Sequence, residues 1–340
     1  MPNRAYMEWR QDLERRANAT IGPLIAENPG YAVDAVQPEY RGGTNIATFG
    51  TRGGEAVVYK YFGGRDRWRN ELYCLEALAS TGHVPKVLAS RDHLIVMTCL
   101  RGSGFGWGDL DAAGVRTLSQ RIGHAFGVIV TTHAPPASDG YSPADFACIP
   151  WGRDLAGVIA RYVALCRGVQ ETLPAFQTPF FTASLDLVES RADELTTGSP
   201  TLFHDDVWNM SVDGDAFVGF FDFEMCRQGP DHAQLGCALA LCSPDEHDYG
   251  LDWGSCLRGY EDATGRHLGE DDHVSILAMG HFYHHSRMCR WGAWDGDLQA
   301  ADHMRASAAA AGRHLDAMRR MSGVVEGWAD LHQWFPTPEA

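Results

Sequence analysis

No two of the nine cysteines stand in a C-x-x-C pair. Their irregular spacing argues for reduced thiols and against a disulfide framework or a zinc ribbon. No run of 18 apolar residues is present, so no membrane-spanning helix is expected. The opening MPNRAYMEWRQDLERR is polar where a signal peptide would carry an apolar stretch, which points to a cytoplasmic protein. G-x-G-x-x-G and Walker A loops are missing, as is a nucleophile elbow with Ser, His and Asp. Positive charge is scarce: 28 Lys+Arg stand against 44 Asp+Glu, for a net charge of −16. Such a field repels nucleic acid and anionic membranes and attracts cations, although solubility alone accounts for it equally well. What is there is ordinary globular material. Across 340 residues, 45% apolar and 21% charged, the chain can build a core for one or two domains.

The pattern changes along the chain. Residues 8–27 read as a helix, with Leu13, Ala17, Ile21 and Leu24 at helical spacing. Pro23 and then Asn28-Pro29-Gly30 are expected to end it. Residues 31–36, 44–50, 55–62, 86–89 and 94–100 are short and rich in β-formers, and residues 70–80 form a helical pattern among them. A glycine-rich linker at 102–106 follows. Beyond it, residues 112–132, 155–171, 182–196 and 300–320 look helical. They are interrupted by one β-like island at 201–223 with a turn at Asp213-Gly214-Asp215. The expected architecture is α+β and bilobal: residues 1–101 a small antiparallel β lobe with one helix, residues 102–340 a larger helical lobe.

The island carries the chemistry. An apolar strand runs into His204-Asp205-Asp206-Val-Trp-Asn209, and a second strand ends in Phe220-Phe-Asp222-Phe-Glu-Met. Phosphoryl transfer needs a carboxylate to orient the attacking hydroxyl and oxygen ligands for Mg²⁺. Asp205 or Asp206 can supply the first, Asn209 and Asp222 the second. Polar turn residues capping two strands would look similar. Upstream, Lys60 interrupts the apolar run 56–61, and Glu71 opens the helical pattern.

These segments resemble the aminoglycoside-phosphotransferase-like small-molecule kinases. That family reads His-Gly-Asp-x-x-x-x-Asn in its catalytic loop, followed by a strand ending in Asp-Phe-Gly or Asp-Phe-Glu. The resemblance implies a protein-kinase-like fold and transfer of the γ-phosphate of ATP or GTP, with Mg²⁺, to a small-molecule hydroxyl. It makes His204 the loop histidine, Asp206 the base with Asp205 as the alternative, and Asn209 and Asp222 the metal ligands. Lys60, held by Glu71, would contact phosphates. Gly43 and Thr44 would belong to a phosphate-covering loop or to a plain hairpin turn, and Met97 and Cys99 to the strand beside the base. Two departures stand out. The loop is two residues shorter than the family's, and Gln234-Leu235 replaces Asp-Leu.

A late segment suggests the acceptor side. His281, His284 and His285 share one helical face, and Trp291, Trp294 and Asp295 follow. Such a group could stack on and pair with a cationic, hydroxyl-bearing acceptor. It could equally be a Trp-packed helix end. The acidic pairs Glu261-Asp262 and Glu270–Asp272 admit the same two readings. Two rival functions remain: an inactive nucleotide-binding pseudokinase, favoured by the short loop, and a metal hydrolase using His204, Asp205, Asp206 and the late histidines. Neither a nucleic-acid nor a membrane partner is expected.

Overall fold

Side chains alternate across a strand, and along residues 55–62 this alternation decides how the first part of the chain is built. Val57, Tyr59 and Tyr61 are buried with Leu13, Ala17, Ile21 and Leu24 of the opening helix. Phe62 instead joins Cys74, Leu75 and Leu78 in the main core. Lys60 is in the same row as Phe62. The strand therefore delivers one lysine to the face that looks toward the rest of the molecule.

The computed structural model describes residues 4–35, 45–104, 110–132, 155–196, 201–204, 206–242, 250–294 and 308–335. Helix α1 (Arg4–Glu27) runs through Pro23 instead of stopping there. Proline removes one backbone hydrogen bond. Ile21 and Leu24, each 4% exposed, offset that loss by burial worth about 1.5–3 kcal/mol apiece. The stop comes at Asn28, whose Nδ2 donates to the Leu24 carbonyl at 2.7 Å.

Five strands follow: β1 (Tyr31–Ala35), β2 (Asn45–Arg52), β3 (Glu55–Phe62), β4 (Val87–Arg91) and β5 (Leu94–Thr98). They form one antiparallel sheet in the order β1-β2-β3-β5-β4. Helix α2 (Arg65–Ala77) begins earlier than residue 70, because Gly64 is already extended and Asp66 lies in the first turn, where a carboxylate favours the helix dipole.

The expected linker is not free. Ser103–Gly104 forms β6, which pairs with β8 (Met210–Asp213), itself paired with β9 (Ala216–Phe220). Gly214 takes φ 57° in the β8–β9 turn, a value that suits glycine. Short strands β7 (Thr201–Phe203) and β10 (Arg227–Gly229) pair beside them.

Helices surround this island: α3 (Ala112–Thr131), α4 (Leu155–Thr172), α5 (Pro179–Ser190), α6 (Ala192–Thr196), α7 (His232–Cys242), α8 (Trp253–Thr264), α9 (Glu270–Trp294) and α10 (Ala308–Val325). The helix expected over 182–196 is broken at Arg191 (φ −99°, ψ 2°), and Leu187 and Leu195 are both fully buried on either side of the break. Helices α3 and α8 cross at Gly123 and Gly259. A methyl group on either would lie 1.9 Å from a carbonyl oxygen of the other helix, so only glycine permits the approach. No helix among the described residues is long and apolar enough to cross a membrane.

Candidate active site

Residues from three separated parts of the chain meet at the end of the β8–β9 hairpin. Lys60 on β3 donates from Nζ to Glu71 on α2 and to Oδ1 of Asp222 just beyond β9. Its ammonium also lies 4.9 Å from the centre of the Phe62 ring. Lys60 is 8% exposed and Glu71 is 1% exposed, so these two form a buried pair, and Asp222 is the more open third group. Burial by itself would push the Lys60 ammonium down. The carboxylates of Asp222, Glu71 and Glu224 outweigh burial and hold it above its ordinary value. Burial pushes the Glu71 carboxyl up to about 8, with Lys60 pulling the other way. Asp222 sits below the usual range: burial would raise it, but Lys60 prevails.

The charge count explains these opposing shifts. Glu71, Asp222 and Glu224 bring carboxylate oxygens within 4.8 Å of one another, and Lys60 alone touches two of them. Lys60 and Arg67, the latter donating to Glu224 at 2.8 Å, set two cations against these three carboxylates, and the clustered oxygens are donors of the kind a cation site uses. Asn209 adds a fourth polar group, its Nδ2 lying 3.4 Å from Oδ2 of Asp222. Amide orientation is an assignment; reversed, the side chain would present Oδ1 beside the carboxylate. All these donors are hard oxygens, so the set fits Mg²⁺.

The loop before β8 is held from below. His204 is fully buried. Its Nε2 donates to the Phe221 carbonyl at 2.8 Å, and its Nδ1 accepts from the Asp206 backbone N–H at 3.1 Å. Gln234 closes the bracket: its Oε1 accepts from the His204 N–H at 2.7 Å and its Nε2 donates to the His204 carbonyl at 3.2 Å. An aspartate there could accept but not donate. The glutamine is thus a full brace, and the departure noted in the sequence has a structural counterpart. The shortened loop closes as a tight turn, with the Asn209 N–H donating to the Asp206 carbonyl at 3.0 Å. Asp206 is left exposed at its rim.

Other expected site residues fall elsewhere. Met97 is in the core at 4% exposure. Cys99 is half-buried, and its N–H is already used by the Ala56 carbonyl at 3.0 Å. His281 and His285 face the core of the helical part. The Oγ of Ser184 on α5 lies 2.6 Å from His281 Nδ1 and 2.8 Å from His285 Nε2. Ser322 of α10 lies 3.0 Å from His281 Nε2. His284 is half-buried against the His314 ring, with centroids 5.4 Å apart. Among the described residues the histidines form no metal-ligand group with His204 or Asp206. Asp272 is engaged by Arg266 and His232, and Glu261 by the Leu268 N–H, so these acids serve the fold. Trp291 and Trp294 are in the last turns of α9. Gly43, Thr44, Asp205 and Asp295 lie outside the described residues.

Sequence reasoning missed Glu224, Arg67, Asn70 and Asn45. A signal existed for three of them. Arg67, Asn70 and Glu71 recur at i, i+3, i+4, a polar stripe on a helix beside a sheet, and Glu224 stands two residues after the metal-type aspartate.

The model of the phosphotransferase enzyme family known as APH matches residues 44–272, more than half of the chain. The chain belongs to the phosphotransferase enzyme family. That membership makes it a small-molecule kinase, and the solved structures share its fold. Aminoglycoside phosphotransferase APH(4)-Ia has 16% identity and a TM-score of 0.58, over 89% of this chain and 99% of that one. ADP-bound APH(2'')-Ib has 13% identity and a TM-score of 0.53, over 93% and 96%. The ternary complex of APH(2'')-IIa with streptomycin and ATP has 13% identity and a TM-score of 0.51, over 90% and 95%. At these identities the likeness establishes the kinase-like fold, and no curated protein matches the chain significantly.

Proposed function

We propose that this phosphotransferase moves the γ-phosphate of ATP or GTP to a hydroxyl of a cationic small molecule of the aminoglycoside type, between a nucleotide lobe (1–101) and an acceptor lobe (102–340). The observation that carries this reading is the junction of Lys60, Glu71 and Asp222, with Asn209 alongside and Asp206 on the rim of the same hairpin.

Each residue has a physical task. Lys60, kept charged by its carboxylate neighbours, presents a fixed ammonium to the phosphates, and Glu71 holds it in place. Asp222 and Asn209 would hold Mg²⁺, which when bound supplies neutralisation of the polyphosphate charge. Asp206 orients the attacking hydroxyl and accepts its proton as the new bond to the γ-phosphorus forms and the bond to the β-phosphate oxygen breaks, releasing the nucleoside diphosphate. His204 acts underneath, tying the Asp206 N–H to the Phe221 carbonyl so that base and metal ligands keep one spacing. The rate gain comes from positioning and charge, with no covalent step on the protein. The acceptor reading draws on relatives solved with ADP and hygromycin B, or with streptomycin and ATP, and on the net charge of −16. His284, Trp291, Trp294 and Asp295 remain the candidate acceptor contacts.

The test is transfer of label from γ-labelled ATP or GTP, with Mg²⁺, to a panel of aminoglycosides, sugars and amino alcohols. Transfer by the wild type that is lost in Asp206→Ala is the expected result. Transfer lost only in Asp205→Ala would move the base by one residue. Absence of nucleotide binding by calorimetry would overturn the reading.

A further inference from the structure

Glu224 lies two residues past Asp222 and is 7% exposed. Two elements from the first part of the chain reach it. Its Oε1 accepts from Arg67 Nη1 of α2 at 2.8 Å, and its Oε2 accepts from Nδ2 of Asn45, the first residue of β2. Asn70, also on α2, donates from Nδ2 to the backbone carbonyls of Glu224 at 2.9 Å and Cys226 at 2.8 Å. One turn further, the Cys74 thiol hydrogen-bonds that of Cys226. Arg67, Asn70, Glu71 and Cys74 stand at i, i+3, i+4 and i+7, a single stripe along the helix. Every member of that stripe touches either Lys60 or the 222–226 turn.

The turn needs such support. Asp222 has φ 65° and ψ 57°, in the left-handed region that few residues with a Cβ enter, aspartate more readily than most. Asp222 is also the residue whose carboxylate direction matters most to the site. Holding the following residues by side chains from α2 and β2 fixes that direction. It also fixes α2, and hence Glu71, against the same turn.

We propose that Arg67, Glu224 and Asn45 form a clasp that positions Asp222 and Lys60 for phosphoryl transfer, with Glu224 acting through Arg67 and not as a ligand of the metal. This rests on the kinase reading above. The competing role for Glu224 follows from its place among three clustered carboxylates, and the two roles predict different kinetics. A ligand is needed in proportion to metal. A clasp is needed as a pair, whatever the metal concentration.

A double-mutant cycle separates them. Arg67→Gln, Glu224→Gln and the double variant of the full chain are compared with wild type for turnover of ATP or GTP across a Mg²⁺ titration. Arg67→Lys is the conservative control, and binding of AMP-PNP or GMP-PNP in Mg²⁺ is measured for each. If wild type binds neither analogue, the kinase reading fails by itself, before the clasp is tested. With binding established, each single variant should lose about tenfold in kcat, and the double variant no more than about threefold beyond that. The Mg²⁺ concentration at half-maximal rate should stay within about twofold of wild type, and Arg67→Lys should recover part of the loss. Additive losses, or wild-type kcat in Arg67→Gln, would overturn the clasp. So would Glu224→Gln raising the Mg²⁺ requirement tenfold while Arg67→Gln leaves it unchanged, which would make Glu224 a ligand.

Discussion

The buried polar clusters around Lys60 and around Ser184 behave in opposite ways. Around Lys60 the groups are charged. Three carboxylates face the Lys60 ammonium and the Arg67 guanidinium, and their fields outweigh the burial that would otherwise discharge Lys60. Around Ser184 the groups are neutral. His281 and His285 sit well below their ordinary value because burial dominates and their nearest titratable neighbours are other histidines. The first cluster keeps one member, Asp222, partly open to solvent, whereas in the second His281, His285 and Ser184 are all fully buried. A buried polar group marks a ligand site when charge is left over and one face is open. Where the groups are neutral and fully enclosed, it marks the core, even though His285 Nδ1 finds no hydrogen-bond partner there.

The largest effect should come from breaking the charged cluster at its open member. Asp222→Asn should lower phosphate transfer by about 10³-fold or more and cost less stability than Lys60→Met, because Asp222 is the partly open partner and Glu71 still accepts from Lys60. Collapse of the fold in this variant would show that the cluster is structural. Lys60→Met should cost both activity and stability. Deleting one partner of a buried ion pair costs about 3–5 kcal/mol, to be read by denaturant unfolding beside the transfer assay. A variant as stable as wild type would mean that Glu71 is neutral without Lys60.

The neutral cluster sharpens the contrast through pH. The unfolded histidines take up protons near pH 6.5, whereas folded His281 and His285 resist doing so until well below that. The histidines' contribution to stability is therefore full above about pH 6.5 and is lost as pH drops, by up to about 1.4 kcal/mol per pH unit per histidine, whereas Glu71, raised to about 8, acts in the opposite direction over the same range. His273 and His83 shift in the same direction. Thermal unfolding from pH 7.5 to 5 should show this decline, and His285→Gln should flatten it. A difference in melting temperature between wild type and His285→Gln that does not change over that range would refute the buried arrangement. The smallest effect is expected at Gln234. Gln234→Asp leaves the His204 carbonyl without its donor, at about 1–3 kcal/mol, with kcat changed by less than about threefold if the loop keeps its turn.

Much of the site was legible before any coordinates. Lys60 interrupts an apolar run, and it is one of two lysines in the whole chain, with Lys86; that scarcity is a signal the sequence reading did not use. His204, Asp206, Asn209 and Asp222 stand within one hairpin, so short-range spacing predicts their meeting. Glu224 was visible as a letter but not as a contact. Its partners lie 157 and 179 residues away, and no local pattern encodes such a pairing. The late histidines illustrate the converse. Their helical spacing correctly places His281 and His285 on one face, yet spacing does not tell whether that face looks at a ligand or at α5. The break at Arg191 and the pairing of Ser103–Gly104 with β8 were hidden for the same reason, since burial against distant neighbours decided them.

Periodicity and local chemistry, properties of the chain alone, determined the antiparallel first sheet and the helical remainder. Tertiary structure decided which buried polar groups stay charged. The charge state of Lys60 depends on Asp222, brought beside it from 162 residues away, and the neutrality of His281 depends on the serines and rings packed around it. Desolvation and Coulomb terms act through distance in space, and distance in space exists only once the chain has folded.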